Sequence, residues 1–272
     1  MAGEYTPKLT IDEPAERSAR TIVLLCAMGV PAKYYDKLTA NFNRLGHPVV
    51  RLRWRDEDRQ YPIDHPEHGY ADLAELDAPY AVAQARELFG EDPVIVGHSL
   101  GGQIASIGAA KCGPIAGIAI VASGSNYWRG VSLRWALGIG FVTAVVAPSV
   151  VKVVGYWPGG RLNFGGRQAA TMMRDWARFG RTGKFLLEGA TIDHEAALKE
   201  LSVPVLAMSI AGDHYVPLAA QENLLVKLEN CEIERVHWRP ENRSHRGHFN
   251  WVRADEGPAE LIHGWINTQT SI

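Results

Sequence analysis

Short, continuously apolar segments alternate with longer segments of helical periodicity along most of the chain. The apolar segments predict six strands, at residues 21–25, 48–54, 93–96, 115–122, 203–210 and 233–238. The periodicity predicts helices at residues 32–45, 70–89, 100–111, 218–228 and 258–268. Strands that are apolar at consecutive positions are typical of a parallel sheet with helices on both faces. The pattern therefore predicts an α/β fold with a mostly parallel, doubly wound sheet.

The alternation of strands and helices stops between residues 126 and 201. This segment contains several tryptophans and glycine-rich turns, has no strand pattern, and is too long for a loop in a compact domain. We interpret it as a helical cap, or lid, inserted over the edge of the sheet. The predicted organisation is one core, residues 1–125 and 202–272, and a cap at residues 126–201.

The most apolar part of the predicted cap runs from Trp135 to Val151 without a charged residue, between Arg134 and Lys152. A membrane-spanning helix needs about 20 apolar residues, and segments that we expect to share one sheet lie on both sides of this stretch. We therefore predict buried or lid helices and no integral membrane span. Contact with a membrane surface is the alternative.

The composition excludes several classes of protein. Of the 272 residues 46% are hydrophobic, and the formal net charge is −2, which argues against both disorder and a basic nucleic-acid binder. The cysteines Cys26, Cys112 and Cys231 are widely spaced and form no CxxC pair. We therefore expect no structural metal and no cofactor. The amino terminus is polar and lacks an apolar signal segment, so we expect a cytoplasmic protein.

A candidate nucleophile lies in the sequence GHSLG, residues 97–101, between a predicted strand and a predicted helix. A sharp strand-to-helix turn strains the backbone at its central residue and requires small neighbours, which Gly97 and Gly101 provide. Such a turn places the Ser99 hydroxyl at a helix amino terminus, where developing negative charge is favoured. The alternative is a glycine-rich turn with a capping serine.

A nucleophilic serine needs a base, and the base needs an acid that fixes its tautomer. After this kind of turn, the acid and then the histidine follow along the chain on loops after strands. Asp213 ends the apolar segment VPVLAMSI, at the edge of the sheet where α/β proteins bind ligands. Weaker candidates for the acid are Glu222 inside a predicted helix, Asp193 in the predicted cap, and Asp255.

The candidate base lies in the loop that follows the last predicted strand. His248 stands beside the flexible Gly247 and before a helical segment, so we favour it. His245 in the same loop is the alternative, and His237 lies inside the strand, where a structural role is expected.

Acyl transfer also needs two preorganised donors for an oxyanion. The backbone N–H of Leu100, directly after the nucleophile, is the first expected donor. The second should come from the loop CAMGVP, residues 26–31, after the first predicted strand. We favour the N–H of Met28 with Gly29 as the alternative, and Pro31 has no N–H.

Aromatic residues of the predicted cap are candidates for a substrate pocket. Tyr127, Trp128 and Trp157 would line an apolar acyl pocket, which is the usual form of a small-ligand site. Packing of the cap's own core is the alternative explanation for these residues.

These residues together resemble the α/β-hydrolase superfamily over nearly the whole chain. GHSLGG, GDHYVP and GHF match its nucleophile, acid and histidine positions in order, at residues 97–102, 212–217 and 247–249. AMGVPAKYY, VASGSNYW and YWPGG are similar to a bacterial branch described as predicted α/β-hydrolases of the serine-aminopeptidase-like type. The resemblance implies an α/β-hydrolase fold with an eight-strand-type sheet and a cap. Many relatives have His-Gly where this chain has Cys26-Ala27.

The leading hypothesis is a serine esterase that cleaves a carboxylic ester or thioester of a small molecule with an apolar acyl part. Ser99 would attack, His248 would act as base, and Asp213 would orient it. Two alternatives keep the fold: a cofactor-free perhydrolase or acyltransferase with the same triad, and a non-catalytic ligand-binding protein. The natural substrate and the oligomeric state are left open by the sequence.

Overall fold

A seven-stranded sheet forms the centre of the computed structural model, which describes residues 5–57, 68–162 and 164–269. The described strands are, in chain order, β1 (Lys8–Asp12), β2 (Ile22–Leu25), β3 (Val49–Arg53), β4 (Val94–His98), β5 (Gly117–Val121), β6 (Tyr156–Pro158), β7 (Arg167–Ala169), β8 (Val205–Ile210) and β9 (Ile233–Trp238). The central sheet has the order β1-β3-β2-β4-β5-β8-β9. Strand β1 pairs antiparallel with β3, and the other neighbours are parallel.

Helices surround this sheet. They are α1 (Asp36–Arg44), α2 (Tyr70–Asp72), α3 (Ala78–Phe89), α4 (Leu100–Gly108), α5 (Leu133–Phe141), α6 (Ala147–Val154), α7 (Gly159–Leu162), α8 (Ala170–Thr182), α9 (His194–Glu200), α10 (Leu218–Leu225) and α11 (Gly257–Gln269). Wide π turns join α2 to α3 at Leu73–Asp77 and α5 to α6 at Val142–Val146. Short 3-10 turns are present at Ala32–Tyr35, Ala109–Lys111, Trp128–Gly130, Arg243–His245 and Asn250–Arg253.

The α/β-hydrolase fold with its mostly parallel sheet is confirmed, and each of the six predicted strands is present. Strands β2, β4 and β5 are buried at every position, as their continuous apolar sequences require. The implied eight-strand-type sheet has seven strands within the described residues. Strand β1 gives no continuous apolar signal in the sequence because this short edge strand has only exposed and half-buried side chains.

The segment between β5 and β8, called the insertion below (residues 126–201), contains α5 to α9 and the antiparallel pair β6–β7. The expectation that it has no strand is wrong for this pair, which is too short to give a sequence pattern. Helices α5 and α6 pack against α8. Helix α9 packs against α4, where His194 Nδ1 lies 3.0 Å from the carbonyl oxygen of Ile107. The division into core and cap stays a prediction.

The apolar stretch of the insertion forms one long helix from α5, the π turn and α6, called the long insertion helix below. By length and composition alone, this helix is long and apolar enough to cross a membrane, with a mean hydropathy of 2.0 within Trp135–Val154. Only 17% of its most apolar window of 18 residues is buried, so of the two predicted forms, buried helices or lid helices, the buried form does not apply, and the lid stays a prediction. Its inward side bears mainly small side chains, among them Ala136, Thr143, Ala147 and Val151.

Candidate active site

Ser99 occupies the sharp turn between β4 and α4. Its backbone has φ +54° and ψ −115°, a conformation that residues other than glycine rarely adopt. A Cβ on Gly97 would collide with the backbone of Gly101, and one on Gly101 with the carbonyl of Leu25. The close approach of three backbone segments therefore requires both glycines, and it holds Ser99 in a strained conformation that costs about 1–3 kcal/mol.

His248 lies between Ser99 and Asp213. Its Nε2 is 2.9 Å from Ser99 Oγ, and its Nδ1 is 2.8 Å from Asp213 Oδ2. A carboxylate is only an acceptor, so Nδ1 carries the proton and Nε2 is free to accept the serine proton. The His248 side chain is nearly buried, as is that of Asp213, with 4% and 2% exposed. The structure thus brings together the three residues that the sequence analysis selected from distant positions.

The turn after β8 fixes the Asp213 carboxylate. Its Oδ1 accepts hydrogen bonds from the backbone N–H groups of Tyr215 and Val216, at 2.8 and 3.0 Å. The two carboxylate oxygens therefore have different partners: Oδ1 accepts from the backbone, and Oδ2 faces His248. The Tyr215 ring lies 5.1 Å from the His248 ring and covers it.

His98, which the sequence analysis did not single out, supports the site from below. Burial, and then the proximity of His248, lower the pKa of His98 well below its ordinary value. Trp251 donates to its Nε2 at 3.3 Å, and its Nδ1 lies 2.7 Å from the hydroxyl of Tyr35. The same hydroxyl accepts the Ala27 N–H at 2.8 Å. The neutral His98 ring thus connects the histidine loop to the loop after β2.

The expected oxyanion donors are available. Within the described part of the chain, the backbone N–H groups of Leu100 and Met28 have no acceptor, and both residues line the pocket around Ser99. The neighbouring N–H groups of Ala27 and Val30 are engaged, with Tyr35 and with the Ala27 carbonyl. The N–H of Gly29, the alternative donor, also has no acceptor among the described residues, but Gly29 does not line this pocket, and the choice between the two donors stays a prediction.

The Ser99 pocket has a volume of about 170 Å³ and a largely apolar wall. Tyr70 donates to Gln103 Oε1, and Gln103 Nε2 donates to the Gly124 carbonyl, so this buried amide is satisfied. Asn126 Nδ2 donates to the Trp176 carbonyl at 2.8 Å. Asn126 Oδ1 is buried and has no partner among the described residues. Asn126 lines the pocket through other atoms, because its Oδ1 is closed off from the cavity and from solvent.

A second pocket of about 570 Å³ adjoins the first beneath the long insertion helix. Its lining is almost entirely apolar. The two pockets share the side chains of Trp135, Ile139, Phe164 and Trp176. A ligand bound at Ser99 therefore has an apolar space next to it.

Of the three predicted pocket residues, Trp157 lines the second pocket. Tyr127 and Trp128 line neither pocket, which corrects the expectation. The Tyr127 ring packs against Gly183 at the end of α8. Trp128 is exposed and lies under the guanidinium of Arg129. The chain turns away from the pocket after Asn126, and other aromatic residues of the insertion replace them.

The described residues contain no group of three His, Cys, Asp or Glu side chains that could hold a metal ion. Cys26 and Cys112 are buried, and burial raises the pKa of the Cys112 thiol to about 12. A thiol with this pKa is a poor nucleophile at neutral pH. In the Ser99 pocket, Ser99 Oγ is the oxygen that lies within 2.9 Å of a histidine nitrogen, His248 Nε2.

Comparisons with known proteins agree with the fold. A sequence model described as the alpha/beta hydrolase family matches residues 16–261. No curated protein sequence matches the chain significantly.

Several solved structures share the fold at low sequence identity. MenH from S. aureus is 15% identical with a TM-score of 0.61, over 97% of this chain and 99% of that chain. A monoacylglycerol lipase from Paleococcus ferrophilus is 15% identical with a TM-score of 0.60, over 97% and 100%. An esterase, RhEst1 from Rhodococcus, is 17% identical with a TM-score of 0.52, over 97% and 95%. At these identities the likeness concerns the fold alone.

Proposed function

The chain belongs to the alpha/beta hydrolase family, and we propose that it is a serine hydrolase of carboxylic esters or thioesters. The observation that carries the proposal is the continuous hydrogen-bonded set of Ser99, His248 and Asp213, at 2.9 and 2.8 Å. A histidine in this position and tautomer can take the serine proton while the serine oxygen attacks a carbonyl carbon.

The proposed reaction has two stages. His248 Nε2 takes the Ser99 proton as Oγ adds to the substrate carbonyl, and the tetrahedral intermediate then expels the alcohol or thiol. His248 gives its proton to that leaving group, which leaves an acyl group on Ser99. Water then attacks the acyl group while His248 takes a proton from it. The second tetrahedral intermediate breaks its bond to Ser99 Oγ, His248 gives the proton to Oγ, and the carboxylic acid is released.

Backbone donors would stabilise the negative charge that develops on the carbonyl oxygen. The N–H groups of Leu100 and Met28 are free and line the pocket beside Ser99. Leu100 begins α4, so the partial positive charge of the helix amino terminus acts in the same direction. Preorganised donors of this kind contribute about 3–4 kcal/mol each to the rate.

The test of the proposed function is covalent labelling by a fluorophosphonate, followed by identification of the modified peptide. We expect a single modified residue, Ser99. An acyltransferase or perhydrolase with the same residues would also be labelled by the fluorophosphonate, and it would turn over faster when an alcohol or peroxide is added to the ester.

The cytoplasmic location of the protein stays a prediction.

The second pocket supports an apolar acyl chain as the substrate's acid part, because it adjoins Ser99 and is lined by apolar side chains. Val142→Trp would place an indole in this pocket. We expect it to lower kcat/KM for p-nitrophenyl decanoate by more than about tenfold, since each methylene excluded costs about 0.8 kcal/mol. The value for p-nitrophenyl acetate should stay nearly unchanged.

The matched control is Val145→Trp, the same change on the exposed side of the same helix, where the side chain is 48% exposed. It should affect neither ester. A loss of activity that is equal for the long and the short ester would contradict the assignment of this pocket to the acyl chain.

A further inference from the structure

The long insertion helix has apolar side chains on its solvent-facing side as well as on the side that packs against the core. Its exposed stripe, called the outer face below, includes Leu137, Phe141, Val145 and Val153, which are 68%, 61%, 48% and 84% exposed. Their spacing of four and eight residues places them on one side of the helix. A helix of a soluble protein turns its large apolar side chains towards the core. Here Ile139, Val142 and Val146 pack against the core, while the outer face stays exposed in the part of the chain that the structure describes.

Further apolar and aromatic groups of the insertion are exposed or stand beside basic side chains. Trp128 lies beside Gly140 of the same helix, and Leu162 is 48% exposed. The guanidinium of Arg167 lies 4.3 Å from the Tyr156 ring, as that of Arg129 lies 4.9 Å from the Trp128 ring. Aromatic side chains next to basic ones are characteristic of protein surfaces that lie at a membrane–water interface.

The insertion is basic as a whole. Lys and Arg occur ten times in residues 126–201 and Asp and Glu five times, and none of these acidic residues precedes Asp175. Lys152 continues the outer face, and Arg161 stands next to Leu162 on α7, both exposed. Since the whole chain has a net charge of −2, the remaining sequence has an excess of acidic residues. The field of the protein therefore turns the insertion towards an anionic surface and the core away from it.

The second pocket connects this surface to the candidate active site. Val142 and Val146 of the long insertion helix line it on one side, and Leu162, whose side chain is also exposed, lines it as well. The pocket shares four side chains with the Ser99 pocket. An apolar chain that leaves a lipid layer at the outer face thus has a short apolar route towards Ser99.

From the apolar outer face, its basic surroundings and this connection, we propose that the insertion docks peripherally on an anionic lipid surface. The apolar side chains enter the acyl boundary, and Lys152 extends its ammonium to the headgroups. A second copy of the chain fits less well, because a two-fold contact through this face would bring identical basic patches together. The helix does not span the bilayer, since its inner side packs on α8 and lines the pocket.

Vesicle flotation tests the docking. We expect the wild-type protein to float with vesicles of phosphatidylcholine and phosphatidylglycerol, and far less with phosphatidylcholine alone or at high salt. Leu137→Ser with Phe141→Ser should weaken binding to the mixed vesicles by at least about tenfold. Lys152→Glu with Arg161→Glu should weaken it by about tenfold and remove the preference for anionic lipid.

Matched controls separate docking from folding and from catalysis. Leu76→Ser with Leu88→Ser changes side chains of similar exposure, 57% and 51%, outside the insertion, and should leave flotation unchanged. The Ser99→Ala protein should float like the wild type, so the test does not depend on the proposed hydrolysis. Thermal melting and acetate ester hydrolysis should be the same for Leu137→Ser with Phe141→Ser as for the wild type.

Three results would overturn the proposal. The first is that the wild-type protein fails to float with the anionic vesicles. The second is that the Leu137→Ser and Phe141→Ser pair leaves flotation unaffected. The third is that the free protein sediments as a dimer that this pair dissociates, which would assign the outer face to a second copy of the chain.

Discussion

Replacement of Ser99 by Ala is expected to lower kcat on p-nitrophenyl esters by on the order of 10⁶ and to remove labelling by a fluorophosphonate. The reason is the geometry: Ser99 Oγ is the one atom of the pocket hydrogen bonded to a histidine whose other nitrogen faces a buried carboxylate. Without this oxygen no acyl-enzyme forms. The residual rate would come from the free N–H donors and from substrate binding.

Folding of the Ser99 variants can be checked through the strained turn. Ala at this position keeps a Cβ at φ +54°, so Ser99→Ala should have nearly the melting temperature of the wild type. Ser99→Gly relieves the strain and should raise the melting temperature by about 2–4 °C, while it is equally inactive. A folded Ser99→Ala protein that retains esterase activity and full labelling would place the nucleophile elsewhere and refute the mechanism.

The sequence predicts those residues of the candidate site that can be recognised from their immediate neighbours in the chain. The glycines around Ser99, the aspartate at the end of an apolar strand and the histidine in the following loop each have a local signature. Their order along the chain selected Asp213 and His248 among several acids and histidines. The parallel sheet followed in the same way, since strands buried on both faces must be apolar at every position.

The features that the sequence did not disclose depend on contacts between distant segments. His98 obtains its role from Tyr35 and Trp251, which are 63 and 153 positions away. The exposure of the long insertion helix could not be predicted, because an apolar sequence has the same pattern whether its large side chains face the core or the solvent. Tyr127 and Trp128 were chosen as aromatic residues of the insertion, and the direction in which the chain turns after Asn126 decides that Trp135 and Trp176 line the pocket instead.

Asp213→Asn is expected to lower kcat by on the order of 10⁴ while the fold and substrate binding are retained. Asp213 Oδ1 accepts from two backbone N–H groups, and an amide oxygen can take over both hydrogen bonds. The amide NH₂ is then forced to face His248 Nδ1, where Oδ2 lies in the wild type. Since this NH₂ is a donor, Nδ1 must accept and the ring proton moves to Nε2. The imidazole then presents N–H to Ser99 and cannot take its proton.

Asp193→Asn is the matched control for this argument. Asp193 also accepts from two backbone N–H groups, those of Glu195 and Ala196 at 3.0 and 3.1 Å, at the start of α9, but no histidine hydrogen bond accompanies them. The substitution should leave kcat and KM unchanged. Steady-state kinetics on p-nitrophenyl acetate measures both variants, and thermal melting confirms that both are folded. If Asp213→Asn retained most of the wild-type kcat, the orientation of His248 by Asp213 would have no part in the reaction, and the proposed triad would have to be abandoned.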